Sequence, residues 1–273
     1  MSESLKYALV TGASSGIGRH LSMEFAARGY GIAAVSNQGK QLADLKSELE
    51  SLYKIRVHTL DIDLSSNEAA AEVFNFCRKN KLQVEVLVNN AGMMIYGEVV
   101  ETEVDRISAI LQLHMYTPVL LSRLFGEQML ENQRGYILNV SSISAVMPYP
   151  IISLYGPTKT FLRKYSRALR HELRGKGIHV TCLIPGATAT SLFNTEHINV
   201  PRAIRLGIMK RPGDVAKAGV RALMRDRPVR IPGLLNKFVV RIFPLLPSCL
   251  IGWIYKQVKK REIKRGRKKQ SAA

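Results

Sequence analysis

Six short apolar runs, near residues 6–10, 31–35, 55–60, 84–88, 136–140 and 178–184, punctuate the first two thirds of the chain, each bounded by turn-forming residues. Runs that are short and apolar at consecutive positions match strands buried on both faces of a parallel sheet. Between them, apolar residues recur every three or four positions, as helices facing a core require. In residues 40–53 this stripe is Leu42, Leu45, Leu49 and Leu52, read as core packing, and residues 68–79 and 103–130 behave similarly. Strands alternating with helices predict one α/β domain with right-handed crossovers. No repeat, low-complexity linker or second core precedes about residue 230, and 273 residues are ample for a single large domain.

The first run, Tyr7-Ala8-Leu9-Val10, leads into Thr11-Gly12-Ala13-Ser14-Ser15-Gly16-Ile17-Gly18 and then a helical stretch carrying Leu21, Phe25 and Ala26. Glycines at a strand-to-helix junction permit a tight turn and the close approach of a pyrophosphate, whose charge meets free N–H groups at the helix start. The spacing departs from G-x-G-x-x-G, with three residues between the first two glycines. Such a turn can be purely structural, but its place in a βαβ pattern favours a nucleotide site.

Tyr155 and Lys159 lie four residues apart, thirteen residues after Ser142. On a helix they share one face, so the ammonium can stand close to the phenol. A free tyrosine, with a pKa of about 10, is a poor acid near neutrality; a neighbouring cation lowers that value and suits the group to acid–base catalysis. Taken alone, the pair also fits an exposed amphipathic helix.

With Thr11 to Gly18, Asn89-Asn90-Ala91-Gly92, Ser141-Ser142, Tyr155-x-x-x-Lys159, and Pro185-Gly186 followed by Thr188 and Thr190 in this order, the chain resembles the short-chain dehydrogenase/reductase family from about Lys6 to about Gly233. The resemblance implies a Rossmann-like doubly wound sheet over residues 1–233, with residues 234–273 as an extension. It implies hydride transfer between a nicotinamide and a carbonyl or carbinol carbon. Ser142 would hold the substrate oxygen, Tyr155 would donate or remove the proton, and Lys159 would lower the tyrosine's pKa and bind the nicotinamide ribose. Cofactor contacts would come from Gly12, Ser14, Ser15, Gly16, Ile17, Gly18, Asn37, Asp63, Leu64, Asn90, Ala91, Gly92, Tyr155, Lys159, Pro185, Gly186, Thr188 and Thr190. Asp63 and Leu64 also read as a helix cap and a core leucine. Ser141, offset by one, is the weaker candidate for the substrate oxygen. Pro157 fits a first helical turn, where its missing N–H costs nothing.

One position departs from the family pattern. Its members usually carry an asparagine in the helix before the fifth strand, supporting a water chain from the lysine to solvent; the matching residue here is His114. An imidazole could hold that water or relay a proton, or be a satisfied histidine at a packing position. At the end of the second strand, Ser36-Asn37-Gln38 lacks the carboxylate that would bind the ribose hydroxyls of NAD, and Lys40, Ser14, Ser15, Ser36 and Asn37 could serve a phosphate. NADP(H) is therefore favoured over NAD(H), although the arginine common in NADP-using relatives is missing too.

Charge is unevenly spread. Residues 1–200 hold 20 Lys+Arg and 18 Asp+Glu, so +17 of the net +19 falls in residues 201–273. Nine basic residues and one acid crowd 256–269, behind the uncharged stretch Ile242 to Tyr255 with Pro244, Pro247 and Trp253. That stretch is too short and broken to span a bilayer. It could lie on an anionic membrane surface, with the basic run drawn to the headgroups, or fold over the cleft as a lid or dimer contact. The basic run lacks interleaved aromatics, so specific nucleic-acid binding is not expected. Cys77, Cys182 and Cys249 form no C-x-x-C pair, so neither a disulfide framework nor a metal site is expected. With the first strand beginning within a few residues of Met1, this predicts a cytoplasmic protein, peripheral at the inner face of a membrane.

The expected activity is NADPH-dependent reduction of a hydrophobic ketone, such as a 3-oxoacyl lipid, a 3-ketosphinganine-like base or a steroid. The segment Ala187 to Lys210 is the expected lid, with Leu192, Phe193, Ile198, Val200, Ile204, Leu206 and Ile208 either lining an apolar pocket or simply packing. Arg202 and Arg205 would instead suit a small anionic carbonyl substrate. A catalytically weakened scaffold or cofactor sensor at the membrane is the alternative of another class. By analogy with the family, pairing of the long helices 103–130 and 153–175 would give a homodimer or homotetramer.

Overall fold

The computed structural model describes residues 5–146, 152–190, 192 and 199–245, with 247, 249, 250, 252, 253, 256 and 257 beyond them. Seven parallel strands form one sheet in the order β3-β2-β1-β4-β5-β6-β7. They are β1 Lys6–Thr11, β2 Gly31–Ser36, β3 Val57–Asp61, β4 Gln83–Asn89, β5 Gly135–Val140, β6 Ile178–Leu183 and β7 Val229–Arg230. The first six coincide with the apolar runs. The helices are α1 Gly16–Ala26, α2 Gly39–Tyr53, α3 Ala69–Lys79, α4 Val104–Leu111, α5 Thr117–Glu131, α6 Tyr155–Glu172, α7 Val200–Arg205, α8 Pro212–Met224 and α9 Leu234–Ile242.

Because successive strand residues point to opposite faces, β1 feeds two cores at once. Ala8 and Val10 pack with Leu21, Phe25, Leu45 and Val220 under α1, α2 and α8, whereas Tyr7 and Leu9 pack with Val73, Phe125 and Val180 under α3, α5 and α6. This two-sided burial explains why β1 reads as a continuous apolar run. Along α2, Leu42, Leu45 and Leu49 are buried as expected, but Leu52 in the last turn is 61% exposed. Cys182 is a small buried residue of β6.

The helical stretch expected over 103–130 is interrupted. Between α4 and α5, residues Gln112–Tyr116 form a π-helical turn with His114 buried at its centre. Strand order reverses between β1 and β4, opening a crevice at their carboxyl ends where ligands bind in sheets of this kind.

Candidate active site

After β1 the chain must turn sharply to begin α1, and Gly12 (φ 62°) and Gly16 (φ 54°) adopt the left-handed backbone that other residues avoid. Gly18 is required for space, since a Cβ there would lie 2.0 Å from the Gly12 carbonyl oxygen. Ser15 caps α1 without a side-chain hydrogen bond, so the first N–H groups of the helix remain available to an anion. Across the crevice Asn90 clamps the turn. Its Nδ2 donates to the carbonyls of Thr11 (2.9 Å) and Gly12 (3.2 Å), while Thr11 Oγ1 accepts from the N–H groups of Asn90 (2.9 Å) and Ala91 (3.0 Å). The Asn90 side chain is thus committed to the turn.

From this turn a trough of about 610 Å³ runs along the carboxyl edge of the sheet to Tyr155 and Lys159. Glycine backbone and free N–H groups at its centre, with hydroxyls and carboxamides at one end, fit a dinucleotide. At that end Ser14 Oγ donates to Gln38 Oε1 and lies within hydrogen-bond distance of Ser36 Oγ, both at 2.8 Å, and Asn37 is exposed beside them. Lys40 is not among the residues lining the trough. Asp63 lines it farther along, with Oδ1 already accepting from the Ser65 N–H (2.9 Å) and hydroxyl (2.8 Å); Leu64 is buried beside it. Ala91, Pro185 and Thr190 also line the trough. Thr188 Oγ1 donates to the Gly186 carbonyl at 2.9 Å and so shapes the loop from behind.

At the other end, α6 begins at Tyr155 itself, so Tyr155 and Lys159 occupy adjacent turns and Pro157 falls within the first. Both are buried. Lys159 Nζ donates to the Val140 carbonyl at 3.2 Å and stands 5.7 Å from the Tyr155 ring centroid. Gly92 lets the backbone run against this pair, since a Cβ there would lie 3.0 Å from His114 Nε2 and 3.5 Å from Lys159 Nζ. Burial lowers the Lys159 pKa to about 8. Burial also pushes the Tyr155 phenol up to about 12, outweighing the hydrogen bond with Ser142 that lowers it. The phenol is therefore not lowered as its spacing from Lys159 led one to expect, because losing water costs the phenolate more than the Ser142 hydrogen bond returns. Near neutrality the pair is a protonated phenol beside a cation.

The two serines divide cleanly. Ser141 Oγ donates to the Lys159 carbonyl at 2.8 Å, tying β5 to α6, whereas Ser142 bonds Tyr155 and accepts the Ser144 N–H at 3.2 Å. Ser142→Ala is expected to lower kcat about a hundredfold, and Ser141→Ala to cost about 1 kcal/mol of stability with kcat nearly unchanged. Thermal melts and steady-state kinetics on the two variants check this division.

His114 is held at both nitrogens. Nε2 accepts the Met93 N–H at 3.0 Å, so the neutral ring carries its proton on Nδ1, which donates to Thr158 Oγ1 at 2.9 Å. Thr158 in turn donates to the Tyr155 carbonyl at 2.8 Å. Burial, reinforced by the Lys159 charge, holds the imidazole well below its usual range. It is a neutral brace between the 92–94 segment and α6, with no nitrogen left for a water.

Thr158, Gln38 and the pair Met93 and Met94 join the site without having stood out in the sequence. Met93 and Met94 line the trough and pack with Ile95, Ile110 and Tyr155, an apolar wall next to the phenol. Their only sequence signal is an apolar run, Met93-Met94-Ile95, directly after Gly92. Of the expected lid, Leu192 lines the trough, Ala203 is buried, and Leu206 and Ile208 are exposed. Phe193 and Ile198 lie outside the described residues.

A family model described as short chain dehydrogenase matches residues 6–199. The chain belongs to the short-chain dehydrogenase family. Among curated relatives, the very-long-chain 3-oxoacyl-CoA reductase of Phaeosphaeria nodorum is 32% identical over 226 residues, 81% of this chain and 64% of that protein. The Homo sapiens protein of the same name is 30% identical over 191 residues, 68% of this chain and 61% of its own length. The chain thus spans less than two thirds of the length of these relatives. Among solved structures, the bulky-bulky ketone specific alcohol dehydrogenase from Comamonas testosteroni superposes with a TM-score of 0.74 at 28% identity, over 84% of this chain and 87% of that one. A short-chain dehydrogenase from Sphingobium yanoikuyae in complex with NADPH gives 0.76 at 26% identity, over 96% of both chains.

Proposed function

We propose that the protein is an NADPH-dependent reductase that converts the keto group of a long, apolar, 3-oxoacyl-like lipid to a secondary alcohol. The observation that carries this reading is the meeting of a protonated Tyr155, hydrogen-bonded to Ser142, with a buried Lys159 at the end of a trough whose glycine turn suits a dinucleotide. The lipid class is supported by relatives named as very-long-chain 3-oxoacyl-CoA reductases and by the apolar wall of Met93, Met94 and Ile95. NADPH is favoured over NADH because the ribose end of the trough carries hydroxyls and carboxamides where a carboxylate would repel the extra phosphate.

A nicotinamide cofactor would supply the hydride that reaches the carbonyl carbon. Ser142 Oγ holds the carbonyl oxygen as negative charge grows on it. Tyr155 Oη gives its proton to that oxygen, and the Lys159 cation stabilises the phenolate left behind. His114 positions Tyr155 through Thr158. Residues 1–233 would form the catalytic unit and 234–273 an extension, with assembly as a homodimer or homotetramer at a membrane surface.

The pH profile follows from the two titrations. Lys159 loses its charge as pH rises through about 8, whereas Tyr155 keeps its proton until about 12. At saturating NADPH, kcat/KM for reduction is expected to be level near neutrality and to fall as pH rises through about 8. A profile that stays flat up to the tyrosine's own range would contradict this assignment. The function itself is tested by assaying NADPH-dependent reduction of long-chain 3-oxo lipids against small polar ketones.

A further inference from the structure

α9 carries its side chains the wrong way round for a helix that covers a core. Leu234 is 83% and Phe238 61% exposed, and Leu235 and Ile242 are exposed as well. At about 100° per residue these four fall within one arc of roughly 100°. The polar Asn236 points inward, buried, with Nδ2 donating to the Pro232 carbonyl at 2.6 Å. Lys237 and Arg241, both exposed, run along one edge of the apolar arc. Past the helix, Leu245 and Trp253 are exposed too, and nine basic residues follow within 256–269. An outward apolar stripe edged by cations is the chemistry of a helix lying in the boundary of an anionic bilayer. A second copy is the poorer partner for this stripe, because pairing would bring the +17 of residues 201–273 against itself. Among the described residues no helix is long and apolar enough to cross a membrane.

The position of α9 ties this stripe to the catalytic cleft. The Asn236 carboxamide presses on Gly186, where a Cβ would lie 2.3 Å from Asn236 Oδ1. Gly233, just before the helix, abuts Lys210 at the end of the expected lid, a Cβ there being 3.1 Å from Lys210 Cε. α9 also packs on the turn Ile143–Val146 that follows Ser142. We propose that α9 docks the protein on an anionic bilayer and brings the rim of the cleft to the lipid, so that a long-chain keto substrate reaches Tyr155 directly from the membrane. The substrate half of this proposal rests on the reductase reading; the docking half stands without it.

The test uses the full chain with vesicles of phosphatidylcholine, alone or mixed with phosphatidylglycerol. Co-sedimentation is read beside the emission of Trp253, the protein's single tryptophan. Wild type is expected to bind the anionic vesicles with a blue shift. Leu234→Asp with Phe238→Asp, and separately Lys237→Glu with Arg241→Glu, should each lower partitioning at least about tenfold. Both double variants should melt like wild type and reduce a soluble short-chain ketone normally, while losing turnover of long-chain keto lipid presented in vesicles. Since the charge variant alters only exposed side chains, it keeps the test open should the aspartates impair folding. Wild type that ignores anionic vesicles overturns the proposal, as do variants that bind like wild type. A dimer that Phe238→Asp splits, with no vesicle binding, would assign the stripe to a second copy instead. Vesicle binding as predicted without reduction of any ketone would refute the reductase reading and leave the docking standing.

Discussion

Tyr155→Phe is expected to lower kcat/KM for ketone reduction about a thousandfold while leaving NADPH affinity nearly unchanged. Phenylalanine keeps the ring and its packing, including the edge contact with His114 at 5.6 Å between centroids. What disappears is the hydroxyl, and with it the proton donor to the substrate oxygen. Among the described residues lining the trough at this end, the other titratable side chain is Lys159, whose Nζ is bonded to the Val140 carbonyl. The folded state loses only the hydrogen bond with Ser142, so stability should fall by no more than about 1 kcal/mol. Steady-state kinetics with direct NADPH titration separates the two effects, and a variant retaining a tenth or more of the activity would remove Tyr155 from the chemistry.

Gly18→Ala should act on stability and cofactor binding together. The added Cβ would sit 2.0 Å from the Gly12 carbonyl oxygen and 2.5 Å from Asn90 Nδ2, so it meets both the turn and its clamp. The Gly12 oxygen is backbone, in a residue already at φ 62°, and cannot yield without moving the turn. Overpacking of this kind costs about 1–3 kcal/mol, enough to lower Tm by several degrees in a domain of this size. The same movement displaces the first N–H groups of α1, and NADPH affinity should fall at least about tenfold. Thermal melts and NADPH titration measure both effects; unchanged affinity in a destabilised variant would mean that these N–H groups do not hold the cofactor.

The sheet was legible because β1, β2, β4, β5 and β6 are buried along most of their length and rich in apolar residues, whereas the edge strand β3 has only Val57 buried and is the least apolar of the six. β7 escaped notice because Val229–Arg230 is two residues long and exposed, so no pattern marks it. The π-helical turn was hidden for another reason, since the apolar period runs on through 103–130 and the one break signal beside the turn, Pro118, fits a first helical turn as well as an interruption. Tyr155, Lys159 and Ser142 are close in sequence and readable as a motif. The brace on His114 is not, because Met93 and Thr158 lie 21 and 44 residues away and only the fold brings them together. The expectation that Lys159 would acidify Tyr155 rested on spacing alone and could not include how deeply both groups are buried. In the extension, the uncharged stretch from Ile242 stands out in the sequence, whereas the best-defined apolar face belongs to α9, where Lys237 and Arg241 mask the pattern.

The most direct test of the reductase account is reduction by the purified full chain of long-chain 3-oxo lipids and of small polar ketones, each with NADPH and with NADH. The predicted result is turnover of the long-chain substrates, with a higher kcat/KM for NADPH than for NADH. Turnover confined to the polar ketones would contradict the lipid assignment, and no turnover of any ketone would contradict the reductase itself.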